Sequence, residues 1–261
     1  MPDTTDRSIP NFNGREAIIL AGGLGTRLRE AVPDLPKCMA PVAGRPFLFY
    51  VINYLRSQGV QRFIFSLGYK HEVILAYLEK SFASLSYEYV VEDTPLGTGG
   101  AIALALTKAT EPDVLVTNGD TLFKINADEL YKQHTGTAAL CTLALKPMQD
   151  FERYGVVELN DNNQVTAFKE KQHYDNGLIN GGCYLLQVAG FKAQSWPEKF
   201  SFETDFLEKK YSQGQLYGQV QQAYFIDIGI PADYNQAQQD LARPVVALKD
   251  LDACWTIFLD R

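Results

Sequence analysis

The chain has 261 residues, 46% of them hydrophobic, with 31 acidic side chains against 24 Lys and Arg and a formal net charge of −7. That length is ample for one large domain with a buried core, and the acidic balance, without any basic run, excludes a nucleic-acid surface. No apolar stretch approaches a membrane span, and Cys38, Cys141, Cys183 and Cys254 lack C-x-x-C or framework spacing, which argues against zinc and for a reducing, cytoplasmic compartment.

Residues 1–13 are polar, with Pro2, Asp3, Asp6, Arg7 and Pro10. They lack the apolar core of a secretion signal and read as a loose arm ahead of a domain spanning 14–243. Ala17, Ile18, Ile19 and Leu20 predict a buried strand. Ala21 and three glycines in four positions follow, Gly22, Gly23 and Gly25, then Thr26 and Arg27. Glycines there let the backbone turn tightly and approach a ligand. Successive N–H groups in such a turn form an anion nest, and arginine adds a planar cation suited to phosphate. The dinucleotide pattern G-x-G-x-x-G fails because Leu28 stands where its last glycine belongs, and no Gly-Lys-Ser/Thr of a P-loop occurs. A tight turn without a ligand is the plain alternative.

Pro46 opens a predicted helix that Gly59 closes, with Phe47, Leu48, Val51, Ile52 and Leu55 at helical spacing. Strands are predicted at 63–67, 87–91 and 114–116, with helices around Val73–Leu78 and Gly100–Leu106 between them. This β-α-β-α rhythm predicts a largely parallel sheet covered on both faces. Ligands in such sheets lie beyond the carboxyl ends of the strands. The segments 22–27, 92–99 and 118–120 all follow strand ends, so they should converge on one cleft. Farther on, 137–145, 156–159, 165–168, 184–187 and 219–228 read as strands, with a helix at 202–211. These predict an added mixed or antiparallel layer. Gln236, Gln238 and Gln239 read as a solvated helix face, and His71, His134 and His173 as surface or loop histidines without metal spacing.

Beyond the glycine turn come Pro36-Lys37-Cys38-Met39-Ala40-Pro41-Val42 and Gly44-Arg45-Pro46. Further segments follow in order: Glu92 with Leu96-Gly97-Thr98-Gly99-Gly100-Ala101; Asn118-Gly119-Asp120; Tyr154-Gly155; Phe168-Lys169-Glu170-Lys171; Asn180-Gly181-Gly182; Asp227-Ile228-Gly229-Ile230-Pro231. Together they resemble the sugar-1-phosphate nucleotidyltransferases, from about Glu16 to Leu241. The resemblance implies an α/β, Rossmann-like (GT-A-like) fold with a mixed, mostly parallel central sheet and helices on both faces.

It also implies the reaction. A sugar 1-phosphate attacks the α-phosphorus of a nucleoside triphosphate, giving a nucleotide sugar and pyrophosphate. A phosphate monoester is already a nucleophile, so the work is alignment and charge neutralisation. Leu20, Ala21, Gly22, Gly23, Gly25 and Thr26 would cradle the nucleotide, Arg27 its β and γ phosphates, and Lys37 the reacting centre. The resemblance places Mg²⁺ on Asp120 and Asp227, two oxygen donors suited to that ion. Asp227 also stands among apolar neighbours, where a carboxylate needs a partner. Gly97 and Thr98 would pass under base and ribose, with glycine allowing close approach. Glu92 would accept from the base, and a carboxylate matches the adjacent N–H donors of guanine, which points to GTP. Tyr154, Gly155, Glu170, Lys171 and Asn180 resemble the sugar contacts. Glu170 and Lys171 read equally as an exposed pair, and Asp120 as a turn residue. Ile230 departs from the threonine usual in the family at that point.

The last residues, Trp255 to Arg261, form an apolar run ending in Asp-Arg. This resembles the opening of the haloacid-dehalogenase-type phosphatases, including those acting on heptose bisphosphate. Residues 244–261 would then be a linker and the start of a fused phosphatase domain; a terminal element packed on the first domain is the alternative. The fusion reading implies D-glycero-α-D-manno-heptose 1-phosphate as the sugar and GDP-heptose as the product. The rivals are mannose 1-phosphate with GTP, and a hexose or amino-sugar phosphate with UTP or CTP. A non-catalytic nucleotide-sugar sensor would have lost Arg27, Lys37, Asp120 or Asp227, and all are present. A homo-oligomer stays open.

Overall fold

The computed structural model describes residues 15–23, 28 and 32–242. Gly25, Thr26 and Arg27 lie outside the described residues, as do the arm at 1–13 and the segment 244–261.

The chain opens with β1 (Arg15–Ala21), a short 3₁₀ turn (Lys37–Met39), and the small hairpin β2 (Pro41–Val42) and β3 (Arg45–Pro46). Then come α1 (Phe47–Ser57), β4 (Val60–Leu67), α2 (His71–Ser81), β5 (Ser86–Val91), α3 (Gly97–Ala105) and β6 (Asp113–Asn118). The strands β6, β1, β4 and β5 lie side by side and parallel, as the alternating rhythm predicts.

The sequence accounts for both faces being covered. Side chains alternate across a strand, so Ala17 and Ile19 enter one core and Ile18 the other. Phe63 and Phe65 oppose Ile64 in the same way, and Leu115 opposes Val114 and Val116. One core takes α1 through Phe47, Leu48, Val51, Ile52 and Leu55, and α2 through Ile74 and Leu78. The other takes α3 through Ile102 and Ala105, with Phe191, Phe200, Phe202 and Phe206. Phe47, Phe63, Phe65, Phe191, Phe202 and Phe206 are among the largest fully buried side chains. Each such side chain contributes about 1.5–3 kcal/mol relative to exposure.

The later elements are β7 (Thr121–Phe123), α4 (Ala127–Thr137), β8 (Cys141–Phe151), β9 (Val156–Leu159), β10 (Val165–Lys169), β11 (Tyr174–Gln187) and α5 (Val188–Lys192). A π-helical turn (Phe202–Leu207), α6 (Glu208–Lys210), β12 (Leu216–Val220), β13 (Phe225–Asp227) and α7 (Pro231–Asp240) complete the described chain. The expected mixed and antiparallel strands are added directly to the parallel sheet. β11 pairs antiparallel with β6, and β8, β9, β10 and β12 build outward from it, making one nine-stranded sheet. β11 is long enough to pair with both β6 and β8, which is what merges the two halves.

Sequence reasoning missed α4. Its signal was present: Asn126 accepts from the N–H groups of Asp128 and Glu129, and those two acids sit in the first turn. His134 on this helix corrects the reading of a surface histidine. It is buried, with Nδ1 2.9 Å from Thr142 Oγ1 and Nε2 3.3 Å from Asp113 Oδ1. The buried face of α4 carries it inward together with Leu130. No helix among the described residues is long and apolar enough to cross a membrane.

Candidate active site

Four parallel strand ends deliver the first part of the site. The Gly119 N–H donates to the Leu20 carbonyl at 2.8 Å, tying the end of β6 to that of β1. The Glu92 N–H donates to the Leu67 carbonyl at 2.8 Å, tying β5 to β4. Ala21, Gly22 and Gly23 therefore share one edge with Glu92 and Asn118-Gly119-Asp120. That is the convergence expected from topology.

Gly22 is a glycine for want of space. A Cβ there would lie 2.7 Å from Glu92 Oε1 and 3.3 Å from the Gly68 nitrogen. Glu92 has little freedom to retreat, because its Oε2 accepts from the Leu96 N–H at 2.9 Å. Gly22→Ala should therefore displace Glu92 and the turn after it. We expect a loss of about 1–3 kcal/mol of stability, read by thermal unfolding, together with a raised KM for the nucleoside triphosphate. An unchanged Tm and KM would contradict this account of the turn.

The second part is a charge cluster assembled from distant sequence. Lys37 sits on the 3₁₀ turn anchored by buried Cys38 and Met39. Its Nζ donates to Asp120 Oδ2 and, at 3.2 Å, to Asp227 Oδ1. Asp227 ends β13, which pairs with β7 so that Asp227 stands opposite Thr121. The Ile228 N–H donates to the Asp120 carbonyl at 3.1 Å, and the Gly229 N–H to Asp227 Oδ1 at 2.8 Å. The two acids are thus held on one backbone frame with their carboxylates aimed at one ammonium. Burial, with the Asp120 charge adding to it, pushes the neighbouring Cys38 thiol up to about 12, so it stays neutral and inert.

Charge counting shows what the cluster lacks. Two carboxylates face one lysine, leaving one negative charge in excess before any phosphate arrives. Hard oxygen donors converging on one point fit a divalent cation. Among the described residues no group of three or more His, Cys, Asp or Glu is placed to hold a metal.

The third part is an open cleft of about 510 Å³. Tyr154, Gly155, Glu170, Lys171 and Asn180 all border it, together with Asn118, Thr121 and Asp227. It reaches the charge cluster through Asp227. Asn180 is set by a bulge: the β11–β8 register shifts between Asn180 and Tyr184, where Gly182 has φ +67. The Asn180 side chain donates to the Tyr184 hydroxyl at 2.9 Å and accepts from the Gly182 N–H at 3.0 Å. Arg153 donates to the Tyr154 hydroxyl at 2.9 Å and to Asp233 Oδ2 at 2.5 Å, tying Tyr154 to the start of α7. Glu170 and Lys171 are exposed on the cleft rim.

Gly97 opens α3. It has φ +73, and a Cβ would meet the Phe200 carbonyl oxygen at 2.5 Å. The close neighbour is thus the protein's own backbone. Thr98 likewise bonds within the protein: its hydroxyl donates to Glu203 Oε2 at 2.6 Å and accepts from the Phe202 N–H at 2.9 Å. Phe168, from the segment that carries Glu170 and Lys171, also borders the cleft, as do Tyr184, Glu203, Leu207 and Glu208, which the sequence did not single out as site residues.

Known proteins resemble this chain along most of its length. The family model described as Nucleotidyl transferase matches residues 16–243. D-glycero-alpha-D-manno-heptose 1-phosphate guanylyltransferase of Aneurinibacillus thermoaerophilus is 52% identical over 226 residues, 87% of this chain and 98% of the relative. The protein of the same name from Campylobacter jejuni is 44% identical over 84% of this chain and 96% of its own length. The crystal structure of HddC from Yersinia pseudotuberculosis complexed with GMP-PN superposes with a TM-score of 0.78 at 36% identity, covering 87% of this chain and 99% of that one.

Proposed function

The chain belongs to the nucleotidyl transferase family, and we propose that it transfers GMP from GTP to D-glycero-α-D-manno-heptose 1-phosphate, releasing pyrophosphate. The observation that carries this reading is the 52% identity to a heptose 1-phosphate guanylyltransferase along nearly its whole length. The cleft beside Asp227, bordered by Tyr154, Gly155, Glu170, Lys171 and Asn180, supports it as a sugar site.

The sugar phosphate lies in this cleft with its phosphate toward Lys37. A phosphate oxygen bonds to the α-phosphorus of GTP while the bond from that phosphorus to the β-phosphate oxygen breaks. The leaving group departs as pyrophosphate. Lys37 screens the repulsion between two anions and orients the α-phosphate. Arg27 holds the β and γ phosphates. Asp120 and Asp227 would hold Mg²⁺, which when bound supplies the positive charge the cluster lacks. No side chain need act as a nucleophile or base.

Glu92 would accept from guanine. Its carboxyl is held above the ordinary value of 4.5, chiefly by burial, against the Leu96 N–H bond that lowers it. Only the ionised form accepts from both guanine donors. KM for GTP should therefore rise as pH falls, with an apparent pKa above 4.5. Glu92→Gln should remove that dependence and cut the preference for GTP over the other triphosphates about tenfold or more. An unaltered base preference in the variant would contradict the assignment.

The test of the reaction is product identity. Enzyme, Mg²⁺, heptose 1-phosphate and each of four nucleoside triphosphates are incubated, and products are identified by mass. GDP-heptose with one pyrophosphate per turnover is expected from GTP alone. A product formed only from UTP or CTP would overturn the base assignment.

A further inference from the structure

Part of the cleft wall comes from a segment the reaction has not used. The turn Phe202–Leu207 is π-helical and is anchored by buried Phe202, Phe206 and Leu207. A π turn takes more residues than the 3.6 of an α turn, and such turns occur often at functional sites. Positions four and five apart then share a face, and Glu203, Leu207 and Glu208 all border the cleft.

Glu203 is held at one oxygen and free at the other. Oε2 accepts from Thr98 Oγ1 at 2.6 Å and from Ser201 Oγ at 3.0 Å. Among the described residues Oε1 has no hydrogen-bond partner. Tying the turn to α3 needs only Oε2. Oε1 is a surplus acceptor on a cleft wall, and a carboxylate oxygen there accepts a charge-assisted hydrogen bond from a hydroxyl donor. Tyr184 borders the same cleft, its phenol held above the ordinary range chiefly by burial. Tyr184 in turn meets Asn180 at 2.9 Å. Glu203, Tyr184 and Asn180 thus share one polar stretch of the cleft lining, with Thr98 behind Glu203.

We propose that Glu203 is a specificity-determining residue: it accepts a hydrogen bond from a sugar hydroxyl through Oε1, while Thr98 and Ser201 fix it through Oε2. This deepens the guanylyltransferase reading and rests on it. The chemistry it recognises is a hydroxyl donor on the sugar ring or its side arm.

A substrate–variant cycle tests it. Glu203→Gln keeps the side chain's size and a carbonyl oxygen for Thr98 and Ser201, but places an amide in the cleft. The wild type and this variant are compared on heptose 1-phosphate and on a set of its monodeoxy analogues. One analogue should lose about tenfold or more in kcat/KM with the wild type. The variant should lose about as much on the parent sugar and little more on that analogue, with KM for GTP changed less than about twofold. If every deoxy loss simply multiplies with the loss from the variant, no hydroxyl meets Glu203 and the proposal fails. The same holds if the variant matches the wild type on the parent sugar. Should the glutamine variant not fold, Glu203→Ala takes its place in the cycle. Wild-type activity on a different sugar 1-phosphate would refute the heptose assignment alone, and the cycle would then be run on that sugar's deoxy analogues.

Discussion

Lys37→Met is expected to lower pyrophosphate release by about 10²–10³-fold, the usual effect of deleting one preorganised electrostatic stabiliser. Lys37 Nζ contacts both Asp120 and Asp227, and its side chain is only 12% exposed. Methionine keeps much of the buried stem and removes the charge. Two carboxylates would then face each other without a cation, which costs stability. The variant should melt below the wild type, and added Mg²⁺ should restore more Tm in the variant than in the wild type. Thermal unfolding with and without Mg²⁺, run beside the turnover assay, separates the two roles. Turnover within a few fold of the wild type would remove Lys37 from the reacting centre.

Asp227→Asn and Asp120→Asn should each reduce turnover at saturating Mg²⁺ by at least about 10²–10³-fold, since each removes half the carboxylate charge available to a cation. The asparagine is chosen for what it retains. Asp227 Oδ1 accepts from the Gly229 N–H at 2.8 Å, and an amide oxygen can keep that bond. The fold around β13 should therefore survive, with Tm near that of the wild type. Asp227→Ala, which loses the bond, should be less stable but no more impaired in turnover than Asp227→Asn. Isothermal titration with Mg²⁺ and nucleotide should show weakened cation binding in both asparagine variants. If both retain full activity, the two acids serve only as counterions to Lys37.

The parts of this molecule legible in its sequence are those that local chemistry writes. The run Ala17–Leu20 before a glycine turn declares a buried strand and a ligand edge. Alternating strands and helices up to Asn118 declare a parallel sheet. Lys37, Asp120 and Asp227 were legible through the segments around them, and the structure brings all three together. Tyr154, Gly155, Glu170, Lys171 and Asn180 were named from scattered segments and border one cleft.

What the sequence hid depends on distant partners. Alternation marks 156–159 or 165–168 as strands but does not say which neighbour they pair with. Only the length of β11 joins them to the parallel half. His134 reads as a surface or loop histidine until Asp113 and Thr142 are seen beside it. Glu203 meets Thr98 across 105 residues, and no spacing rule reaches that far. Gly97 was legible as a glycine that something approaches closely, but not that the neighbour is the Phe200 backbone.

The most direct test of heptose guanylylation is a competition. Equal, limiting concentrations of D-glycero-α-D-manno-heptose 1-phosphate and α-mannose 1-phosphate are mixed with GTP, Mg²⁺ and enzyme, and the initial ratio of the two nucleotide sugars is measured. That ratio is the ratio of kcat/KM values. An excess of GDP-heptose of about tenfold or more is expected, the size of discrimination that one well-placed hydroxyl contact provides. GDP-mannose in excess would contradict the heptose assignment while leaving the nucleotidyltransferase site as described.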